Sequence, residues 1–257
     1  MPLPSVGASL GSPFIELQSV DSTNNYALAQ IHANLAQPGA CYFAHEQRAG
    51  KGQRGKSWAT EKDANITMTV VLRPGFLQLF QQFQLSACIA VATYDLLTKY
   101  AGASIMIKWP NDLYWKDHKI AGILIENVIA KGKKGTATWD WAVIGIGVNV
   151  NQMKFPAAIK KAGSLKQITG DEFDTVALAK ELCECLNRTY KKLTHSGFEP
   201  IHNEYNTHLY KKNEIVKFKR RNRVFKATVK NVNEGGQLIV EHGIEEKFDF
   251  GDVEWVM

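Results

Sequence analysis

Apolar and polar residues alternate through positions 14–20, as in a strand with one buried face. The alternation stops at Asp21-Ser22-Thr23-Asn24, a cluster of helix-capping residues. Tyr26, Ala27, Ile31 and Leu35 then recur at helical spacing, so a strand-to-helix junction is predicted with Ser22 or Asp21 as the cap. Residues 40–46 and 65–72 read as buried strands, and 80–100 as a long amphipathic helix whose apolar stripe (Phe83, Ala87, Ala90, Val91, Tyr94, Leu97) covers one sheet face. Two β-rich segments follow around a Pro110-Asn111-Asp112 turn, which would bring Lys108, Asn111 and Asp112 together. A nearly continuous apolar strand starts at Lys119, a basic hairpin turn spans 131–135, and 138–151 is a further strand. Asp174 can cap a helix running to about His195, and a shorter helix spans 198–208.

Beyond Lys211 the texture changes to short strands at 215–218, 224–232, 237–240 and 247–250, separated by Asn-Glu-Gly-Gly and His-Gly turns. This pattern predicts a small barrel. The division expected is a loose Pro/Gly/Ser-rich tail at 1–13, an α+β unit at 14–210 built on a mixed sheet with packed helices, and a small β unit at 211–257.

The stretch between two of the strands, Gln47-Arg-Ala-Gly-Lys-Gly-Gln-Arg-Gly-Lys-Ser-Trp58, interrupts this regular pattern. Gly50, Gly52 and Gly55 let the backbone approach a ligand closely, and Lys51, Arg54 and Lys56 stand between them. Such a loop fits either an anion held by the cations or a solvated surface segment. It is read as neither a Walker loop nor a dinucleotide fingerprint. Trp58 offers a flat face for stacking. Lys119 is either a solvated strand end or a cation aimed into a pocket, and Gly122 within the strand implies close approach by another group. Gly145 and Gly147, on alternate positions, clear one face for a flat ligand or for a helix.

Composition narrows the classes. The 257 residues carry 31 Lys+Arg against 25 Asp+Glu, a net charge of +6, too modest and dispersed to imply nucleic acid. A basic cluster (Lys217, Lys219, Arg220, Arg221, Arg223, Lys226) alternates with apolar residues, and Glu245, Glu246, Asp249, Asp252 and Glu254 oppose it. No apolar run approaches the ~20 residues of a membrane span, and no signal-peptide pattern opens the chain, so a cytoplasmic protein is expected. Cys41, Cys88, Cys183 and Cys185 lack metal-site spacing and read as reduced core residues. The seven histidines form no paired motif, which argues against a metal held by protein ligands alone.

In order along the chain, the Gly50 loop, Lys108-Trp-Pro-Asn-Asp112, Lys119-Ile-Ala-Gly-Ile-Leu124 and Gly145-Ile-Gly-Val-Asn149 resemble the motifs of the biotin protein ligases. The resemblance implies a catalytic α/β domain followed by an SH3-like barrel, as in class II synthetase-like ligases. Some members carry an N-terminal helix-turn-helix repressor domain. Only about twenty residues precede Ser22 here, so the form without that domain is expected.

By the same resemblance the chain activates biotin with ATP and Mg²⁺ to biotinyl-AMP, releasing pyrophosphate. It then transfers biotin to a lysine of a biotin carboxyl carrier protein belonging to a biotin-dependent carboxylase. Ser22, Thr23, Asn24 and Gln47 would hold the ureido end. Gly50, Lys51, Gly52 and Gln53 would fold over biotin, with Lys119 and Gly122 beside it, and Lys51 and Lys119 are the implied catalytic cations. Arg54, Lys56, Trp58, Lys108, Asn111, Asp112, Gly147 and Asn149 would form the ATP and adenylate side, with Mg²⁺ carried on the phosphates and Asp112 as its candidate protein ligand.

One departure from the family loop is Gln53, with Lys51 and Lys56, where arginines are usual; lysine lacks the bidentate fork and glutamine lacks the charge. A homodimer through a sheet edge is known in the family and the pattern neither requires nor forbids it. Two other readings remain. A lipoate ligase or octanoyl transferase would need a longer acyl pocket, and the transferase also a cysteine beside the motifs. A non-catalytic basic module would need salt-dependent nucleic-acid binding.

Overall fold

The computed structural model describes residues 9–131, 137–157, 159 and 161–256. Its larger sheet has seven strands. In chain order they are β1 (Phe14–Leu17), β2 (Cys41–Ala44), β3 (Asn65–Leu72), β4 (Ile105–Lys108), β5 (Asp112–Trp115), β6 (His118–Lys131) and β7 (Ala137–Asn149). In space they run β1-β2-β3-β7-β6-β5-β4, with β1 and β2 parallel and all other neighbours antiparallel. The sheet is mixed, as the sequence predicts, by virtue of that one parallel pair.

Strand alternation gives its two faces different tasks. Ile66, Met68, Val70 and Leu72 of β3, with Ile144, Ile146 and Val148 of β7, join the main core. On that side lie α2 (Gln82–Ala101), α4 (Thr175–Ser196) and α5 (Glu199–Thr207), together with the short α3 (Leu165–Thr169), which the sequence reading did not contain. The opposite face carries α1 (Thr23–His32), which buries Ala27 and Ile31 against Tyr42, Val71, Trp141 and Val143. The helix covers only part of this face. Asn24 in its first turn lies over the row of Thr69, Gly145 and Leu124, and the row of Thr67, Gly147 and Gly122 lies beyond it.

The C-terminal sheet has five strands in the order β11-β10-β9-β8-β12. They are β8 (Ile215–Arg220), β9 (Arg223–Val232), β10 (Leu238–Glu241), β11 (Glu245–Phe248) and β12 (Glu254–Val256). Phe218, Val229, Leu238 and Phe248 bury its interior and are continuous with the main core. The basic cluster is partly neutralised, since Arg220 pairs with Glu246 at 2.7 Å and Lys219 lies opposite Glu254 in the β8–β12 register.

Several local expectations change. Residues 9–13 of the supposed tail are docked: Leu10 is buried, its N–H donates to Asn187 Oδ1 at 2.6 Å, and Asn187 Nδ2 donates back to the Leu10 carbonyl at 2.7 Å. One asparagine on α4 thus satisfies both backbone groups of a leucine that buries its side chain. The other tail residues, 1–8, and 132–136 of the basic hairpin turn lie outside the described residues. The long helix begins at Gln82 after a 3₁₀ turn (Leu79–Gln81), so Phe80 falls off its buried stripe and is exposed. The strand placed at 247–250 ends at Phe248, which frees Phe250 for a turn; β12 was missed altogether because three residues are too few for a periodic signal. Asp174 caps α4 as expected, accepting from the N–H groups of Val176 and Ala177.

Candidate functional site

The uncovered part of the sheet, the glycine loop and the edge of the C-terminal sheet enclose a cavity of about 830 Å³. Its lining includes Ser22, Thr23, Asn24, Gln47, Lys51, Gly52, Gln53, Arg54, Lys56, Trp58, Lys108, Asn111, Asp112, Lys119, Gly122, Gly147 and Asn149. Of the residues assigned above to the biotin and ATP sides only Gly50 is not on the lining; a methyl there would meet the Trp58 carbonyl carbon at 3.4 Å.

At one end is a buried polar network. Gln47 Oε1 accepts from the Thr23 N–H at 2.8 Å and from the Thr23 hydroxyl at 3.1 Å. The Thr69 hydroxyl lies 2.8 Å from that of Thr23 and 2.6 Å from Asn24 Oδ1. Asn24 Nδ2 donates to Glu126 Oε2 at 2.8 Å. Ser22 takes the N-cap position of α1 without a capping bond from its side chain, which corrects the capping role expected of it and of Asp21; Gln47 satisfies the helix's first N–H instead. A methyl on Gly145 would lie 3.0 Å from Asn24 Cγ, so at that glycine the face is cleared for the helix.

At Gly147 it is cleared for a flat ring. A methyl there would lie 2.7 Å from Trp58 Cζ2 and 2.8 Å from its Nε1, and one on Gly122 would lie 3.3 Å from Trp58 Cζ3. The indole therefore rests on the glycine floor itself. Its N–H is buried without an acceptor, and so is that of Trp255, another lining residue. Each orphaned donor costs about 1–3 kcal/mol.

Four lysines surround this second region. Lys119 Nζ pairs with Asp112 at 2.6 Å and stands 5.6 Å from the Trp58 ring. Lys108 is buried, donates to the Tyr114 hydroxyl at 3.2 Å, and lies 4.4 Å from the Tyr114 ring and 5.3 Å from that of Trp255. Burial pulls its pKa down to about 8; Asp112 opposes the shift, while Lys119, Lys161 and Lys56 add to it. Lys51 Nζ is 3.8 Å from Glu126, and Lys56 completes the set on the lining.

The two asparagines of the motifs hold the walls. Asn111 donates its amide to the Ile123 carbonyl, tying the turn to β6, and Asn149 donates to the Gly163 carbonyl at 2.9 Å. Arg54, at φ 55°, turns outward to the C-terminal sheet, where its guanidinium lies 5.5 Å from the Phe250 ring. Residues 50–57 do match the spacing G-x-x-x-x-G-K-S. The loop nonetheless leads from β2 through a 3₁₀ turn (Gln53–Gly55) to β3, with no helix N-terminus behind it, so phosphate-loop geometry is not formed.

Sequence reasoning missed Phe155, Ile159, Val253, Glu254 and Trp255 on the lining, and Thr69 and Glu126 beneath it. Apolar Phe155 and Ile159 in a polar stretch were the one available signal. Among the described residues no group of three or more His, Cys, Asp or Glu could hold a metal ion. The four cysteines are buried free thiols, and among the described residues no helix is long and apolar enough to cross a membrane.

The sequence profile described as the biotin/lipoate A/B protein ligase family matches residues 16–149. The bifunctional ligase/repressor BirA of Bacillus spizizenii is 32% identical over 187 residues, covering 72% of this chain and 56% of that protein. The biotin–[acetyl-CoA-carboxylase] ligase of Paracoccus denitrificans is 35% identical over 196 residues, covering 74% and 78%. This chain thus spans little more than half the length of the BirA proteins it matches. The solved biotin protein ligase of Aquifex aeolicus in complex with biotin and ATP shares the fold, with a TM-score of 0.77 over 94% of this chain and 97% of that one at 24% identity.

Proposed function

The chain belongs to the biotin/lipoate A/B protein ligase family, and we propose that it joins biotin to ATP as biotinyl-AMP and passes the biotinyl group to a lysine of a biotin carboxyl carrier protein. The observation that carries this reading is the division of one cavity into a polar end, built by Gln47, Thr23, Thr69 and Asn24, and a cationic end, built by Lys51, Lys56, Lys108 and Lys119. A fused ureido ring has donors and acceptors for the first. A straight octanoyl or lipoyl chain offers no donors or acceptors to that end and would gain none of those bonds.

Both partners of the first step are anions, and the protein must hold a carboxylate against a triphosphate. A carboxylate oxygen of biotin attacks the α-phosphorus and pyrophosphate leaves. Lys119 and Lys51 stabilise the charge gathered between the two, and the Trp58 indole, seated on the glycine floor of Gly122 and Gly147, offers its other face to the adenine. In the second step the carrier's amine attacks the acyl carbon, AMP leaves with the bonding pair, and an amide forms. Lys108, Lys56 and the two orphaned indole N–H donors suit phosphate oxygens, so the residues present fit ATP. Two carboxylates, Asp112 and Glu254, line the cavity among the described residues, and Asp112 is already paired with Lys119. Mg²⁺ therefore fits as an ion carried on ATP, where it neutralises phosphate charge. Residues 14–210 supply the reacting groups, and 211–257 close the cavity from the side through Phe250, Gly251 and Trp255.

The test is exchange of labelled pyrophosphate into ATP with biotin, lipoate and octanoate as competing acids. Biotin-dependent exchange, lost in Lys119→Ala with folding intact, is expected. Exchange with lipoate alone would move the chain to the other branch of the family, and full exchange by the folded Lys119→Ala protein would remove that lysine from the mechanism.

A further inference from the structure

Glu126 is absent from the cavity lining, yet it touches both parts of the machinery that must act together. One oxygen, Oε2, accepts from Asn24 Nδ2 at 2.8 Å; the other, Oε1, lies 3.8 Å from Lys51 Nζ in the glycine loop. The Asn24 amide is fixed in turn at its other end, because Oδ1 lies 2.6 Å from the Thr69 hydroxyl, itself 2.8 Å from that of Thr23. The glycine at position 145 sets how closely Asn24 approaches the sheet. Nothing in the strand's own hydrogen bonding requires a carboxylate here: β6 pairs Glu126 with Val143 through backbone groups alone. Glu126 falls two residues beyond Leu124 and four beyond Gly122 on the same strand face, so its carboxylate comes up beside the polar end of the cavity.

We propose that Glu126 is a positioning residue for acid binding: one carboxylate orients the Asn24–Thr69–Thr23 chain and tethers Lys51 of the covering loop to it. Filling the polar end is thereby linked to closing the loop. The proposal rests on the ligase reading for the identity of the acid, and the contacts themselves are independent of it.

Two variants and two readouts separate the possibilities. Glu126→Ala removes both contacts, leaving the Asn24 amide without an acceptor, and should raise KM for biotin about tenfold. Glu126→Gln keeps an acceptor for Asn24 but no charge for Lys51, and should recover most of that loss, to within about threefold of wild type. KM for ATP should stay within about twofold in both. Without any ligand, trypsin cleavage after Lys51, Arg54 and Lys56 should be several-fold faster in Glu126→Ala than in wild type, since the loop has lost its tether. Equal shifts in the two KM values, no recovery by glutamine, or unchanged loop cleavage would each overturn the proposal. A wild-type protein inactive with biotin would overturn the ligase reading instead, and the ligand-free cleavage comparison would still decide the role of Glu126.

Discussion

Replacing Thr69 by valine probes the network at the polar end with the least change of shape. Thr69 is fully buried, and its hydroxyl joins β3 to both Thr23 and Asn24. Valine has almost the same volume, keeps the preferred branched side chain of a strand, and already occupies position 71, the next residue on the same face. Cavity and backbone effects are therefore small. What remains is the loss of one hydroxyl and the stranding of Asn24 Oδ1, a buried acceptor, which costs about 1–3 kcal/mol; Thr23 keeps its contact with Gln47.

Taking about 2 kcal/mol, the midpoint of thermal unfolding should fall by about 4–8 °C for a chain of this length. The assay is thermal or urea unfolding of both proteins, together with KM for biotin. KM should rise as well, because an Asn24 amide held only by Glu126 no longer fixes the Thr23 side of the cavity. A variant within about 0.5 kcal/mol of wild type and with unchanged KM would mean that water replaces the hydroxyl at no cost, and the argument from a closed buried network would fail.

Other expectations follow from single contacts. Gly147→Ala should displace the Trp58 indole from the floor and cut adenylate formation at least tenfold while folding is retained; unchanged exchange kinetics would show that the ring moves aside freely. Gln53→Arg adds a cation beside the cavity and should slow dissociation of the adenylate several-fold, measured by filter trapping of labelled biotinyl-AMP; an unchanged rate would mean that charge at this position does not control retention. Lys108 has a folded pKa of about 8 against about 10.5 unfolded, so the native state binds fewer protons between those values and stability rises with pH there. From pH 7.5 to 9.5 the gain should be about 2 kcal/mol by urea unfolding, and it should vanish in Lys108→Met; an equal slope in both proteins would assign it elsewhere.

The strands and the two long helices were legible from local signals, period and caps, whereas the lining residues became legible through the resemblance of four motifs to those of the biotin protein ligases. It could not say which side of Gly145 and Gly147 faced a helix and which a ring. That depends on α1 crossing the sheet at Asn24 and on Trp58 folding back, both contacts between residues far apart in the chain. For the same reason Asn111 and Asn149 read as ligand groups, while their amides hold backbone carbonyls of β6 and of residue 163. Thr69 and Glu126 looked like ordinary strand residues until their partners on α1 and the loop were known. The contribution of β12 was hidden by its length.

Neighbouring residues of β7 divide stability from function. Ile146 is buried in the helix-covered core, whereas Gly147, one position on, faces the cavity and carries the indole. Ile146→Val removes one methylene and should cost about 1 kcal/mol of stability with little effect on catalysis, because the floor above it is backbone and glycine. Gly147→Ala adds one methyl on the other side and should do the reverse. Met68 and Thr69 on β3 likewise leave the sheet in opposite directions, Met68 into the helix-covered core and Thr69 into the polar network. A fold with helices on both complete faces could not separate the effects in this way, since every inward position would belong to a core. Here α1 stops short, and the length of sheet it leaves open is the floor of the cavity.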